Sequence, residues 1–193
     1  MRRLNLALAS ATLLCLAALL GCSVTTRNKG DGKENKDVDI RTPFGSLSVR
    51  EGQTNVKDTG LALYPGARPR KDSDDERHSA NVDISSSLFG LKVVALKFES
   101  DDAQDKVLTF YRKEMGKYGN VVDCTGGGFS MNFHRHDKDA EVTCEGRDAG
   151  HDYKEVLKVG TENNQRILAI RPSGNGSVFA LVYVRAWEQK DTM

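Results

Sequence analysis

Hydrophobic and polar residues alternate along most of this chain, and the period becomes helical in one stretch. Val38 and Ile40 alternate with Asp37, Asp39 and Arg41, and Leu47 and Val49 with Ser46, Ser48 and Arg50. Successive strand side chains point to opposite faces, so each run predicts a strand with one apolar face. Thr42-Pro43-Phe44-Gly45 between them predicts the turn of a β-hairpin. Residues 51–60 are polar and read as a loop, and Leu61–Ala67 is a short apolar stretch ending in a Pro-Gly turn. Val82 and Ile84 then resume the alternation, and Leu88-Phe89-Gly90 makes a connection. In the next strand Val94, Leu96 and Phe98 share one face while Val93 and Ala95 share the other. A strand apolar on both sides belongs at the centre of a sheet that is covered on both faces for part of its length.

The helical period follows. Val107, Tyr111, Met115 and Tyr118 recur at helical spacing, with Leu108 and Phe110 widening the stripe. Ser100, Asp101 and Asp102 offer N-cap oxygens, and Asp101 with Gln104 resembles a capping box. Lys113 and Lys117 lie near the C-terminal turn, where positive charge is favoured, and Gly119 can end the helix. The aromatic stripe is expected to be core.

Beyond it the pattern is again that of strands. Val121 and Val122 lead to Cys124, Gly126-Gly127-Gly128 makes a turn, and Phe129, Met131 and Phe133 alternate with polar residues. Ala140, Val142 and Cys144 alternate next. Strands are then expected at Val156–Val159, Ile167–Arg171 and Val178–Arg185, the last two joined by the hairpin loop Pro172–Gly176. The sum is an α+β fold: an antiparallel-dominated β-sheet with one principal α-helix packed on a face.

The first 22 residues follow a different logic. Arg2 and Arg3 precede a charge-free apolar run from Leu4 to Leu20, the pattern of an export signal. It closes on Leu19-Leu20-Gly21-Cys22, which resembles the lipobox of bacterial lipoproteins. There a small residue fits the signal peptidase pocket, and the next thiol receives the lipid. Leu20 departs from the family's preference for a small residue at that position. The resemblance implies cleavage between Gly21 and Cys22, and lipidation of Cys22. An ordinary cleaved signal or an uncleaved anchor are the alternatives. Ser23, rather than Asp, after the lipidated position implies the outer membrane, facing the periplasm, if the source has two membranes. Two or three acyl chains give stable attachment where one gives only reversible binding. Cys15 follows Leu13 and Leu14, lacks the small residue, and is expected to leave with the signal.

Residues 23–37 hold almost no apolar side chain and cannot offset the entropy of ordering, so 22–37 is expected to be a lipidated N-terminus and flexible tether. The division is then residues 1–21 signal, 22–37 tether, 38–187 a single domain and 188–193 a short polar tail. Charged residues at 28% and hydrophobic ones at 38% suit a globular domain with a modest core. Formal charge is +1, and removing Arg2 and Arg3 with the leader leaves −1. That balance gives no reason to expect nucleic acid. Once Cys15 and Cys22 are assigned to export, Cys124 and Cys144 remain. In an oxidising compartment the pair is expected to form a disulfide, with two reduced buried thiols as the alternative.

Three further stretches, LALYPGA at 61–67, FESDDAQDKVLTFYRKEM at 98–115 and LKVGTENNQRILAIRPSGNGSVFALVYVRA at 157–186, together resemble exported proteins, notably of acidobacteria, that share a YPGA segment. VDIRTPFGSLSV at 38–49 fits the same pattern. The resemblance implies a fold and an envelope address, and no activity.

Candidate chemistry is sparse. His134 and His136 share one strand face and could begin a metal site with His151-Asp152, although no ligand-spacing motif links them. Exposed histidines near a loop are the preferred reading. The acidic run within Arg68–Ser79 lacks the spacing of a calcium loop. No GxSxG, HExxH or phosphate-loop pattern occurs. No cofactor is expected. The reading is a membrane-anchored envelope protein that binds or assembles with a protein or peptide partner. A metal-dependent or hydrolytic activity around His134 and His136 is the alternative.

Overall fold

The computed structural model describes residues 22–28, 36–51, 54–70, 79–124, 140–144 and 153–188. The strands are β1 (Ser23–Asn28), β2 (Lys36–Thr42), β3 (Gly45–Glu51), β4 (Arg68–Pro69), β5 (Ser79–Ser86), β6 (Phe89–Ser100), β7 (Val122–Asp123), β8 (Glu155–Thr161), β9 (Asn164–Ser173) and β10 (Gly176–Glu188). The helix α1 (Gln104–Met115) runs on into a 3-10 turn, Gly116–Tyr118. All ten strands form one antiparallel sheet in the order β1-β2-β3-β5-β6-β10-β9-β8-β7, with β4 paired to the far end of β6. This is the expected α+β fold.

The central position of β6 and β10 follows from their side chains. In β6, Val94, Leu96 and Phe98 are buried on one face, and Val93 and Ala95 pack on the other. In β10, Phe179 and Leu181 take the first face, and Val182 and Val184 the second. Val107, Leu108, Tyr111 and Met115 of α1 cover the first face over β6, β10, β9 and β8, and none of the four is more than 2% exposed. Each such side chain taken wholly from water contributes about 1.5–3 kcal/mol. Phe98, Phe179, Tyr111, Phe110 and Tyr64 form a chain of ring contacts 5.0–5.6 Å apart between centroids. Gly90 has a specific packing role: the Trp187 indole lies where any β-carbon at that position would sit.

Three local expectations differ from what forms. Ser23–Asn28, placed within the tether by composition, form β1, and β2 begins at Lys36. An edge strand needs backbone pairing rather than a buried side chain, and β-branched Val24, Thr25 and Thr26 favour extended backbone; Val24 lies directly across from Ile40. At the start of α1 the N-cap is Ala103, with no side-chain cap. The candidate caps are engaged elsewhere: Asp101 with Arg68, Asp102 with Tyr64 and Lys106, and Gln104 with Glu155. Tyr118 is 37% exposed rather than core. Its ring lies against the Arg166 guanidinium, 3.6 Å from the centroid, and its hydroxyl donates to the Gly60 carbonyl.

Residues 140–144 contribute a single bridge, Glu141 to Thr161, rather than a strand. The expected strand at Phe129–Phe133 and the whole of 1–21 lie outside the described residues. Among the described residues no helix is long and apolar enough to cross a membrane.

Candidate functional site

Helix α1 covers only part of its face of the sheet. Where it ends, the same face continues as a polar surface across β2, β3, β5 and the first half of β6. Register aligns the polar residues of these four strands. Asp39, Ser48, Asp83 and Lys92 lie directly across from one another in one row, and Arg41, Ser46 and Ser85 in the next. Arg50 and Asn81 form a third pair. The strand period of two turns all of these to one side and Ile40, Leu47, Val49, Val82 and Ile84 to the other. The result is a groove of about 280 Å³ lined by Asp39, Arg41, Ser46, Ser48, Arg50, Asn81, Asp83 and Lys92, with Ile40 at its margin.

Three cations face two carboxylates there. Ser48 Oγ is buried and has no hydrogen-bond partner among the described residues. A buried hydroxyl ordinarily finds a partner, so this groove floor has a hydrogen bond to offer. The groove presents hydrogen-bond donors and acceptors and charges of both signs on neighbouring strands.

A second recess, about 340 Å³, lies at the opposite end of β6, lined by Arg68, Arg70, Glu99, Asp101, Ser173 and Asn175 among others. Its charges are largely engaged with each other. The Arg68 guanidinium donates to both Asp101 oxygens at 2.8 and 2.9 Å and lies 3.6 Å from Glu99, which also meets Arg70 at 3.6 Å. Hydrogen bonding to Arg68 holds the Asp101 carboxyl below the usual carboxylate range. Beside it, the Lys106 ammonium and then the Tyr64 hydroxyl hold Asp102 down in the same way.

The YPGA segment is built into this end. Pro65 and Gly66 occupy the centre of a turn closed by the Ala67 N–H donating to the Tyr64 carbonyl at 3.0 Å, and Gly66 supplies the φ of 78° that the turn requires. Tyr64 is thereby carried under α1. Its ring packs edge-on against Phe110, and its hydroxyl donates to Asp102.

Of the residues singled out from sequence, Cys22 is an exposed free cysteine immediately before β1. Gly21, His134 and His136 lie outside the described residues. Cys124 and Cys144 are joined, with an S–S distance of 2.10 Å. The crosslink ties two segments that both run along the outer edge of β8: Cys124 N–H donates to the Val156 carbonyl, and Val142 N–H to that of Gly160. Beneath it Lys158 is only 2% exposed, and its ammonium donates to the Thr143 carbonyl at 3.1 Å. Burial pushes its pKa down. Among the described residues no group of three or more His, Cys, Asp or Glu could hold a metal ion.

Sequence alternation identified the polar side of the β2–β3 hairpin but not its continuation onto Asp83 and Lys92. The signal for that is strand order, which alternation does not carry. No family model, no curated protein and no solved structure matches the chain.

Proposed function

We propose that this protein is a lipid-anchored component of a bacterial cell envelope, held through Cys22, whose α+β domain binds or assembles with an envelope protein or peptide and catalyses no reaction. The observation that carries the anchor is the sequence Leu19-Leu20-Gly21-Cys22 at the close of a charge-free apolar run. The exposure of Cys22 ahead of β1 is compatible with acylation. The Cys124–Cys144 bond accords with an exported, oxidising location. In this reading the outer membrane is the address where the source has two membranes.

The recognition role rests on the groove over β2, β3, β5 and β6. It offers Arg41, Arg50 and Lys92 opposite Asp39 and Asp83, with Ser48 Oγ unpartnered. A polypeptide carries amide groups and charges of both signs that such a surface can pair. The test is crosslinking in intact envelopes, comparing the native chain with a Cys22→Ala form and with an Asp83→Lys/Lys92→Glu form. The anchor reading expects a labelled fatty acid on the native chain and none on Cys22→Ala. The groove reading expects a discrete crosslinked partner that the charge-reversed form loses. Incorporation of the label by Cys22→Ala overturns the first, and undiminished capture by the charge-reversed form overturns the second.

A further inference from the structure

We infer that the end of the sheet formed by the β2–β3 and β5–β6 hairpin tips is a lipid-bilayer docking edge, which inserts Phe44 and Leu88 into the membrane that Cys22 is attached to. The inference rests on the proposed lipidation and deepens it, by stating how the domain sits once anchored.

Register brings the parts together. Ser23 lies across from Arg41, so Cys22 is level with the last residue of β2, beside the Pro43-Phe44 tip. Gly45 pairs with Thr42 on one side and with Ser86 on the other. The second tip, Ser87-Leu88, is therefore at the same end of the sheet as the first. β10 also finishes there, with Glu188 across from Phe89. The anchor cysteine and both tips occupy one end, while the start of α1, the YPGA turn and the β9–β10 turn occupy the other.

That end carries the largest exposed apolar side chains of the described residues. Phe44 is 81% exposed and Leu88 77%, followed by Val24 at 66% and Phe89 at 48%. A single exposed leucine needs no explanation, but these four are gathered where the chain is proposed to enter lipid. The two tips are braced by the same device. At the first, Thr42 Oγ1 accepts from the Phe44 N–H at 3.2 Å and donates to the Gly45 carbonyl at 3.0 Å. At the second, Ser86 Oγ accepts from the Leu88 and Phe89 N–H groups at 3.2 and 3.0 Å and donates to the Phe89 carbonyl at 3.0 Å. The Phe44, Leu88 and Phe89 N–H groups are thus satisfied inside the turns, which lowers the cost of carrying them into a medium without water. Preorganised apolar tips also lose little conformational freedom on insertion. Docked this way, the strands stand on the membrane, and the 12-residue β6 holds the far recess roughly 40 Å away.

The test uses the full chain purified from membranes and reconstituted into phosphatidylethanolamine/phosphatidylglycerol vesicles, with acylation of Cys22 checked by incorporation of a labelled fatty acid. Trp187 is the sole tryptophan, so in a Trp187→Phe background the Phe44→Trp, Leu88→Trp and Asn175→Trp variants each report one site. Each is confirmed folded by its melting curve. Brominated lipid is expected to quench positions 44 and 88 at least threefold more than position 175, in the β9–β10 turn. Equal quenching at all three with Cys22 acylated overturns the docking edge and leaves the anchor standing. A second arm uses an unacylated chain made without residues 1–22, beginning at Ser23. Its co-sedimentation with the same vesicles is expected to weaken about tenfold for each of Phe44→Ser and Leu88→Ser. That loss supports the tips even if Cys22 carries no lipid. Absence of co-sedimentation, or binding indifferent to both substitutions, overturns them.

Discussion

The Tyr64 hydroxyl donates to an Asp102 carboxylate oxygen at 2.9 Å, joining the YPGA turn to the start of α1. Asp102 also takes the Lys106 ammonium at 2.7 Å one helical turn on, and its carbonyl accepts from Ser177 of β10 at 3.0 Å. One residue thus fixes a loop, a helix and a central strand relative to each other. Because Asp102 has a lowered pKa in the folded chain, the stability it contributes is present above the ordinary carboxylate value of 3.8 and is lost as pH falls through the lower folded value. Asp102→Asn is therefore expected to melt below the native chain at pH 7, with the gap narrowing once pH drops below 3.8. Melting curves recorded from pH 7 to pH 2 check this. A gap that stays constant across the range would show that the carboxylate charge is not what holds these elements.

Much of this arrangement was legible in the sequence, and the exceptions share a cause. The β2–β3, β5–β6 and β9–β10 hairpins could be placed from alternation and turn residues, because both signals are local. The apolar stripe of α1 was legible for the same reason as far as Met115. Its cap was not: Asp101 and Asp102 have the right chemistry for capping but are engaged with Arg68 and Tyr64, partners more than thirty residues away. β1 was missed because an edge strand is held by its neighbour's backbone, which composition does not report. The polar groove needed Asp39, Ser48, Asp83 and Lys92 to be placed side by side, and only the strand order does that.

Tyr111 is fully buried, and its hydroxyl oxygen accepts from the Tyr64 N–H at 3.2 Å. Burial pushes the phenol's pKa up, which favours the protonated form. Tyr111→Phe leaves that backbone N–H without its partner, and a buried unpaired donor costs about 1–3 kcal/mol. Urea unfolding is expected to give that loss with an unchanged denaturant dependence. A loss below a few tenths of a kcal/mol would mean that water replaces the hydroxyl.

Cys124 and Cys144 are 20 residues apart. A loop of that length, closed before folding, removes about 3 kcal/mol of unfolded-state freedom on the chain-entropy account. The double variant Cys124→Ala/Cys144→Ala is expected to lose about that much, and the native chain should lose a similar amount on reduction. Equal urea midpoints for oxidised and reduced native protein would contradict it.

Arg166 anchors the other end of the helix. Its Nε donates to the Thr59 carbonyl at 3.0 Å, and its guanidinium lies 3.6 Å from the Tyr118 ring centroid and 5.0 Å from that of Tyr183. A planar guanidinium can stack and donate at once, and an ammonium cannot reproduce both contacts. Arg166→Lys is expected to cost about 1–2 kcal/mol, close to the cost of Arg166→Ala. Restoration of native stability by lysine would show that charge alone matters there.

Anchorage through Cys22 is the central claim, and the mass of the N-terminal peptide from the membrane-extracted protein tests it most directly. The account predicts a chain beginning at Cys22, with two or three acyl chains on that residue and Cys124–Cys144 intact. A peptide that retains residues before Cys22, or one that begins at Cys22 or later and carries no lipid, would contradict it.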